Sequence, residues 1–326
     1  LGRPDLLETA TGFKGTKEAG ARALGESARS FLDLPEHWQV WPAHGSGSAC
    51  GKALGAVPQS TVGYEKRYNA ALKVAPNEKA FVEFILSGQP DPPYYFARMK
   101  KDNRDGVSLL GGVPVPEHFS AEQLTTIDTK AVAVIDTREW DTFRRGHLAG
   151  SLKPLGGVGF LASVGSFVTA DEDIVLIVER DRLDEVIRQL IRIGLDRVVG
   201  WASPATLSVA IETIDGGATI DEVAPGDVPA MRDAGAAMLD VRTTSECSEG
   251  MIAGAISIPY TRLIPRFAEV PEGEPIIVNC KSGGRSAAAC TMLARAGRTV
   301  VNLEGGYHAW LAALDAQSAS TPQATS

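Results

Sequence analysis

The sequence has few of the residues that would settle its chemistry by count. It holds four cysteines, Cys50, Cys247, Cys280 and Cys290, and five histidines in 326 residues. Four thiols are too sparse for a disulfide scaffold in so long a chain, and no Cys-x-x-Cys pair offers a zinc site. Free thiols in a reducing compartment are therefore expected, with a cytoplasmic location. No apolar run reaches the roughly 18 residues that a membrane span requires, so no membrane partner is expected. No Lys/Arg run stands out against a net charge of −8, and nucleic acid is not an expected partner either. The start, Leu1-Gly2-Arg3-Pro4-Asp5, lacks both a Met and the layout of a secretory leader. What remains is ordinary globular composition, 44% hydrophobic and 22% charged, in a length that suits two or three domains.

Two segments are versions of one unit. Ala133-Val134-Ile135-Asp136-Thr137-Arg138 is followed by Gly146-His147-Leu148-Ala149-Gly150, and Ala237-Met238-Leu239-Asp240-Val241-Arg242 by Gly250-Met251-Ile252-Ala253-Gly254. The offset is about one hundred residues, which suits a duplicated domain rather than a solenoid of 20–50-residue repeats. In the second copy, short apolar runs at 236–239, 276–278 and 299–303 alternate with helical stretches at 286–295 and 309–316. In the first, strands are expected at 174–178 and 198–199 around a helix at 184–193. This alternation predicts α/β domains, each a parallel sheet with helices on both faces. The expected domains are residues 1–116, 117–216 and 222–316, with a disordered tail over 317–326. Val113-Pro114-Val115-Pro116 and Asp215-Gly216-Gly217 mark the boundaries.

Cys280 opens the loop Cys280-Lys281-Ser282-Gly283-Gly284-Arg285, between a strand and a helix. Ligands of open parallel sheets bind at the carboxyl ends of the strands. The glycine pair lets successive backbone N–H groups curl into a bowl above a helix N-terminus, and such a bowl favours an anion. Here the anion would be the thiolate, the form that attacks sulfur, or its persulfide. Lys281 and Arg285 add positive charge that can hold an anionic donor, and Ser282 and Ser286 are further donors. Most free cysteines are small buried hydrophobes, but the glycines, the basic residues and the upstream landmarks single out Cys280. Four residues separate Cys280 from Arg285. The loops of rhodanese-like phosphatases and arsenate reductases, which this one resembles, hold one more, and the resemblance implies that the shorter ring suits one sulfur atom better than a tetrahedral oxyanion.

Residues 227–314 resemble a rhodanese domain, on Leu239-Asp240-Val241-Arg242, Gly250–Ala255, the Cys280–Arg285 loop and Glu304-Gly305-Gly306-Tyr307-His308-Ala309-Trp310. The resemblance implies that Cys280 carries sulfane sulfur as a persulfide. It also implies that Lys281, Ser282, Gly283, Gly284 and Arg285 bind substrate, and that Asp240 and Arg242 brace sheet and loop. Met251 and Cys247 depart from the family, which usually has His and an aromatic there. The first copy resembles an inactive rhodanese domain: it has no Cys, and the position of Cys280 falls near Glu179, in a segment with no glycine pair. His147 is expected to be structural, and His37, His118 and His308 to be surface or packing residues.

The first hundred residues resemble the C-terminal part of a metallo-β-lactamase-fold domain, an αββα architecture. The residues that carry this are Gly2-Arg3-Pro4-Asp5, Val40-Trp41-Pro42-Ala43-His44-Gly45, Ser48–Lys52 and Pro92–Met99. The nearest family is the persulfide dioxygenase/rhodanese fusion. Its metal site needs further His and Asp residues that this sequence lacks, and only His44 matches a metal-site position. The sequence is therefore expected to be part of a longer protein, with non-haem iron or zinc bound only when the front is present. The rhodanese part needs no cofactor. The loop 45–52 is a candidate for the polar part of a thiol cofactor.

The expected function is sulfur transfer through Cys280 between thiosulfate or a low-molecular-weight persulfide and an acceptor such as sulfite, cyanide or thiol. Glutathione and coenzyme A persulfides are candidate partners, and a homo-oligomer is allowed. A non-catalytic binding or redox-sensing scaffold and a lactamase-fold metallohydrolase are the alternatives.

Overall fold

A computed structural model describes residues 2–6, 8, 14–43, 57–89, 91–214 and 217–320, with side chains to 316. His44, Cys50 and the rest of the loop 45–52 lie outside the described residues, as do Asp215 and Gly216 of the second expected boundary. The chain forms two compact units, Leu1–Pro92 with Phe96–Val107, and Pro93–Tyr95 with Ser108–Ser326.

The first unit is mainly helical. Helices Thr16–Leu32, Ala70–Val74 and Glu78–Leu86 share a core of Ala21, Ala28, Leu72, Phe81 and Ile85. Strands β1 (Gln39–Val40) and β2 (Ser60–Thr61) pair antiparallel. The side chains of Thr61, Asn69 and Asn77 each accept a backbone N–H at the start of the next helix, satisfying donors that would otherwise be orphaned.

The second unit contains both copies of the repeat. The first sheet has the order β3 (Glu117–His118), β6 (Val198–Ala202), β5 (Asp173–Ile177), β4 (Val132–Asp136), all parallel. The second has the order β7 (Asp221–Val223), β11 (Val300–Leu303), β10 (Ile276–Asn279), β8 (Ala237–Asp240), β9 (Ile256–Ser257), also all parallel. The duplication is thus repeated strand for strand, and β9 has its counterpart in the isolated bridge between Ile135 and Leu152. Strand residues such as Ile174, Leu176, Ile276 and Val278 are fully buried, as sheets covered on both faces require. One core runs through both copies: Ile135, Leu176, Leu190, Leu239, Val278 and Leu293 belong to it together. Each such side chain contributes about 1.5–3 kcal/mol relative to exposure.

Two observations bear on the expected boundaries. Residues 93–95 and 108–116 group with the second unit. Tyr95 packs against the backbone of Gly165, where even a Cβ would lie 2.4 Å from the ring, and Tyr94 N–H reaches Ser166 Oγ at 3.4 Å. The last helix runs Gly306–Ser320, so the backbone stays helical four residues into the segment expected to be disordered. The Leu-Ala-Ala-Leu stretch at 311–314 supplies good helix formers.

Candidate active site

The register between strands decides which residue of the first copy stands where Cys280 stands in the second. Asp136 pairs with Ile177, and Asp240 with Asn279. The residue after each pair is then equivalent, so Val178, not Glu179, is the counterpart of Cys280. Val178 is fully buried and apolar. A 3-10 turn at Arg180–Arg182 follows it, where the second copy has its glycine pair.

Cys280 lies at the carboxyl end of β10, and the helix Gly284–Arg295 begins directly beyond its loop. Gly283 closes that turn at φ +98, a conformation that L side chains rarely adopt. In this pose Gly283 N–H donates to Cys280 Sγ at 3.2 Å. Ser286 Oγ is 3.4 Å from the same sulfur and 3.0 Å from Gly283 O. The hydroxyl has one proton, so it serves either the carbonyl or the sulfur, and a thiolate or persulfide makes the sulfur the better acceptor. Cys280 is 1% exposed, so its sulfur forms the floor of the loop. Only a slender donor can present an atom there.

The loop is held from behind by the turn at 304–308. Tyr307 N–H donates to Cys280 O at 2.7 Å and His308 N–H to Lys281 O at 3.1 Å. The Tyr307 ring lies against the Arg242 guanidinium, 4.0 Å from its centre. Arg242 is paired with Asp240 at 2.7 Å and donates to Gly250 O at 2.6 Å. Asp240 and Arg242 therefore reach the loop through Tyr307 and do not face the sulfur themselves. The first copy keeps the same brace: Arg138 pairs with Asp136 at 2.7 Å and donates to Gly146 O at 2.9 Å. Both pairs are buried. Asp240→Ala should lower the free energy of unfolding by about 3–5 kcal/mol, because it leaves the Arg242 charge buried without its carboxylate. Denaturant titration of the variant checks this, and a loss below about 1 kcal/mol would contradict the assignment.

Lys281 and Ser282 are exposed at the rim. Arg285 is committed elsewhere: its Nη1 and Nη2 donate to Glu246 Oε2 and Oε1, both at 2.7 Å. Glu246 also accepts Thr243 N–H at 3.0 Å, completing a capping box on the helix Thr244–Ser248. Burial opposes ionisation of Glu246, but the bonds from Arg285 and Thr243 outweigh it and hold the carboxyl at about 2, down from an ordinary 4.5. A depressed carboxylate stabilises the fold fully above its unfolded value and loses that contribution as pH falls through the folded one. Acid unfolding should therefore weaken this pair between about pH 4.5 and 2. Glu246→Gln should flatten stability against pH in that window, and an unchanged slope would count against the ion pair.

Sequence reasoning missed Glu246. The Thr243-x-x-Glu246 capping box was legible locally, but its partner lies 39 residues away. It also missed Leu155 of the first copy, whose Cδ2 would lie 3.8 Å from a Cβ placed on Gly284. His147 is buried, stacks on Phe143 at 4.0 Å between ring centres, and bonds Phe143 O through Nδ1 at 2.9 Å. Burial lowers its pKa, disfavouring the charged form. His118 lies against Trp201, the rings tilted and their centres 4.5 Å apart. Among the described residues no three His, Cys, Asp or Glu side chains converge as a metal site would require. Those residues by themselves make no site for the iron or zinc implied by the resemblance. Among the described residues no helix is long and apolar enough to cross a membrane.

Residues 224–313 match the model of the rhodanese-like domain. Over 74 residues the chain is 38% identical to a protein named Sulfurtransferase from Allochromatium vinosum, covering 22% of this chain and 69% of that one. Over 90 residues it is 43% identical to Thiosulfate sulfurtransferase 16, chloroplastic, of Arabidopsis thaliana, covering 24% and 75%. It is also similar to the crystal structure of a metallo-beta-lactamase from Staphylococcus aureus subsp. aureus COL, at 36% identity and a TM-score of 0.55. That similarity covers 63% of this chain and 56% of the other, so the chain spans little over half the length of that structure. Together these likenesses give an α/β architecture in which a lactamase-fold segment is joined to rhodanese-like sheets. With relatives of this identity matched across more than two thirds of their length, the chain belongs to the rhodanese-like family.

Proposed function

We propose that this protein is a sulfurtransferase and that Cys280 is its sulfur-accepting nucleophile. The observation that carries the reading is the loop itself. A thiol at a strand end receives Gly283 N–H at 3.2 Å, sits at a helix start, and occurs in only one of two copies that share strand order and the Asp–Arg brace. Relatives named as sulfurtransferases support the same class. The Cys280 thiolate attacks the outer sulfur of thiosulfate. A Cys280 S–S bond forms, the donor S–S bond breaks, and sulfite leaves with the bonding pair. An acceptor such as sulfite, cyanide or a thiolate then attacks the outer sulfur and releases the Cys280 thiolate. The Gly283 N–H and the Ser286 hydroxyl stabilise the anionic sulfur at both stages. A thiol persulfide donates in the same way, with a thiolate as leaving group.

The lactamase-fold likeness of the N-terminal residues supports a second catalytic activity in the same protein. In the persulfide dioxygenase/rhodanese fusion that the sequence resembles, sulfite is the acceptor that a Cys280 persulfide would meet. Intact mass after incubation with thiosulfate tests the central claim. One added sulfur atom on Cys280 is expected, and no adduct would leave a binding module instead.

A further inference from the structure

The two copies of the repeat let structural residues be separated from those that accompany the thiol. The Asp–Arg brace occurs in both, with the same 2.7 Å pairing, although one copy has no nucleophile. It is therefore scaffold. The Glu246–Arg285 pair behaves differently. The counterpart of Glu246, six residues beyond the strand-end Asp, is Thr142, and that of Arg285, five residues beyond Val178, is Leu183. Both charges are present where the cysteine is present and both are absent where it is absent.

The geometry points to Glu246 as a positioning residue that tethers and neutralises Arg285 at the rim of the Cys280 loop, so that the site favours donors of low charge over dianionic ones. This rests on Cys280 being the sulfur acceptor. The pairing is bidentate, at 2.7 Å twice, and it spends the guanidinium fork that would otherwise grip a sulfonate or sulfate-like group. The pair is only about a quarter exposed, so solvent does not replace it freely. Several charged and titratable groups act on the loop. Arg285 and Cys290 come from the helix Gly284–Arg295 and Lys281 from the loop. Glu246 comes from the helix Thr244–Ser248, and Tyr260, which lies within electrostatic reach of Arg285, from the turn Tyr260–Arg262. With Glu246 ionised, Lys281 is the one cation of this set without a neutralising partner. With Glu246 uncharged, there are two.

The test compares two donors of the same transferable sulfur: thiosulfate, a dianion, and methanethiosulfonate, a monoanion. Glu246→Gln keeps the capping bond, which glutamine also makes, and removes the charge. It should raise kcat/KM for thiosulfate about 3–10-fold, mainly through KM, and for methanethiosulfonate about half as much on a logarithmic scale. The gap should close in about 1 M salt, where screening acts within about 3 Å. Glu246→Asp should restore the wild-type preference. Equal changes for both donors, or a fall in both together with lower stability, would make Glu246 structural only and overturn the proposal. Alkylation of Cys280 by iodoacetamide at one fixed pH needs no turnover and should be about threefold faster in Glu246→Gln. If wild type forms no persulfide, the sulfurtransferase reading fails separately. The alkylation rate then decides the tether, and an unchanged rate overturns it.

Discussion

Replacing Cys280 by serine should reduce sulfur transfer from thiosulfate to cyanide or sulfite by at least ~10³-fold, as removal of an essential nucleophile does elsewhere. A serine hydroxyl is not ionised near neutral pH, and no S–S bond can form through oxygen. The substitution is nearly isosteric in a position 1% exposed, and Gly283 N–H still finds an acceptor, so the fold should survive. The other described thiols are poor substitutes. Burial pushes Cys290 well above the ordinary thiol range, and Cys247 is raised too, again with burial as the largest cause. A Cys280→Ser protein that still gains a sulfur atom would move the acceptor to another cysteine. Equal transfer rates in variant and wild type would remove Cys280 from the mechanism.

Gly306→Ala should damage the site from behind. A Cβ there would lie 2.4 Å from Cys280 O and 2.9 Å from Gly283 N, both backbone atoms that cannot swing aside. The residue also sits at φ +61, which costs a side chain about 1–2 kcal/mol. Adding about 1–3 kcal/mol for overpacking gives an expected loss of roughly 2–5 kcal/mol in stability. The loop must move to relieve the contact, and displacement by about 1 Å can cost about 100-fold in rate, so the molecules that still fold should lose at least tenfold in sulfur transfer. Gly297→Ala is the control. Gly297 has φ +84 but opens on empty space, so only the backbone strain applies and activity per folded molecule should be unchanged. Equal activity in the two variants would show that the 304–308 turn does not position the Cys280 loop.

Much of this was legible in the residues alone. Apolar runs bounded by Gly and Pro placed β8, β10 and β11 within a residue or two of their observed ends, because strand burial is written in local pattern. The repeated Asp-x-Arg and Gly-x-x-x-Gly landmarks announced the duplication, and the thiol-bearing glycine loop could be read as a site before any coordinate was known. The loss of the thiol from the first copy was equally plain. Its equivalent position was off by one residue, since Val178 and Cys280 are matched by hydrogen-bond register and not by spacing from a landmark. Packing between helices set the larger difference. Lys281 and Arg285 read alike in the sequence as free cations for an anionic donor, but only Lys281 stands exposed, while Arg285 is held by Glu246. The sequence by itself determined which thiol is the candidate nucleophile. The tertiary structure decided what charge surrounds it, because an ion pair depends on strand order and on the distance between elements, and neither is encoded in the spacing of residues along the chain.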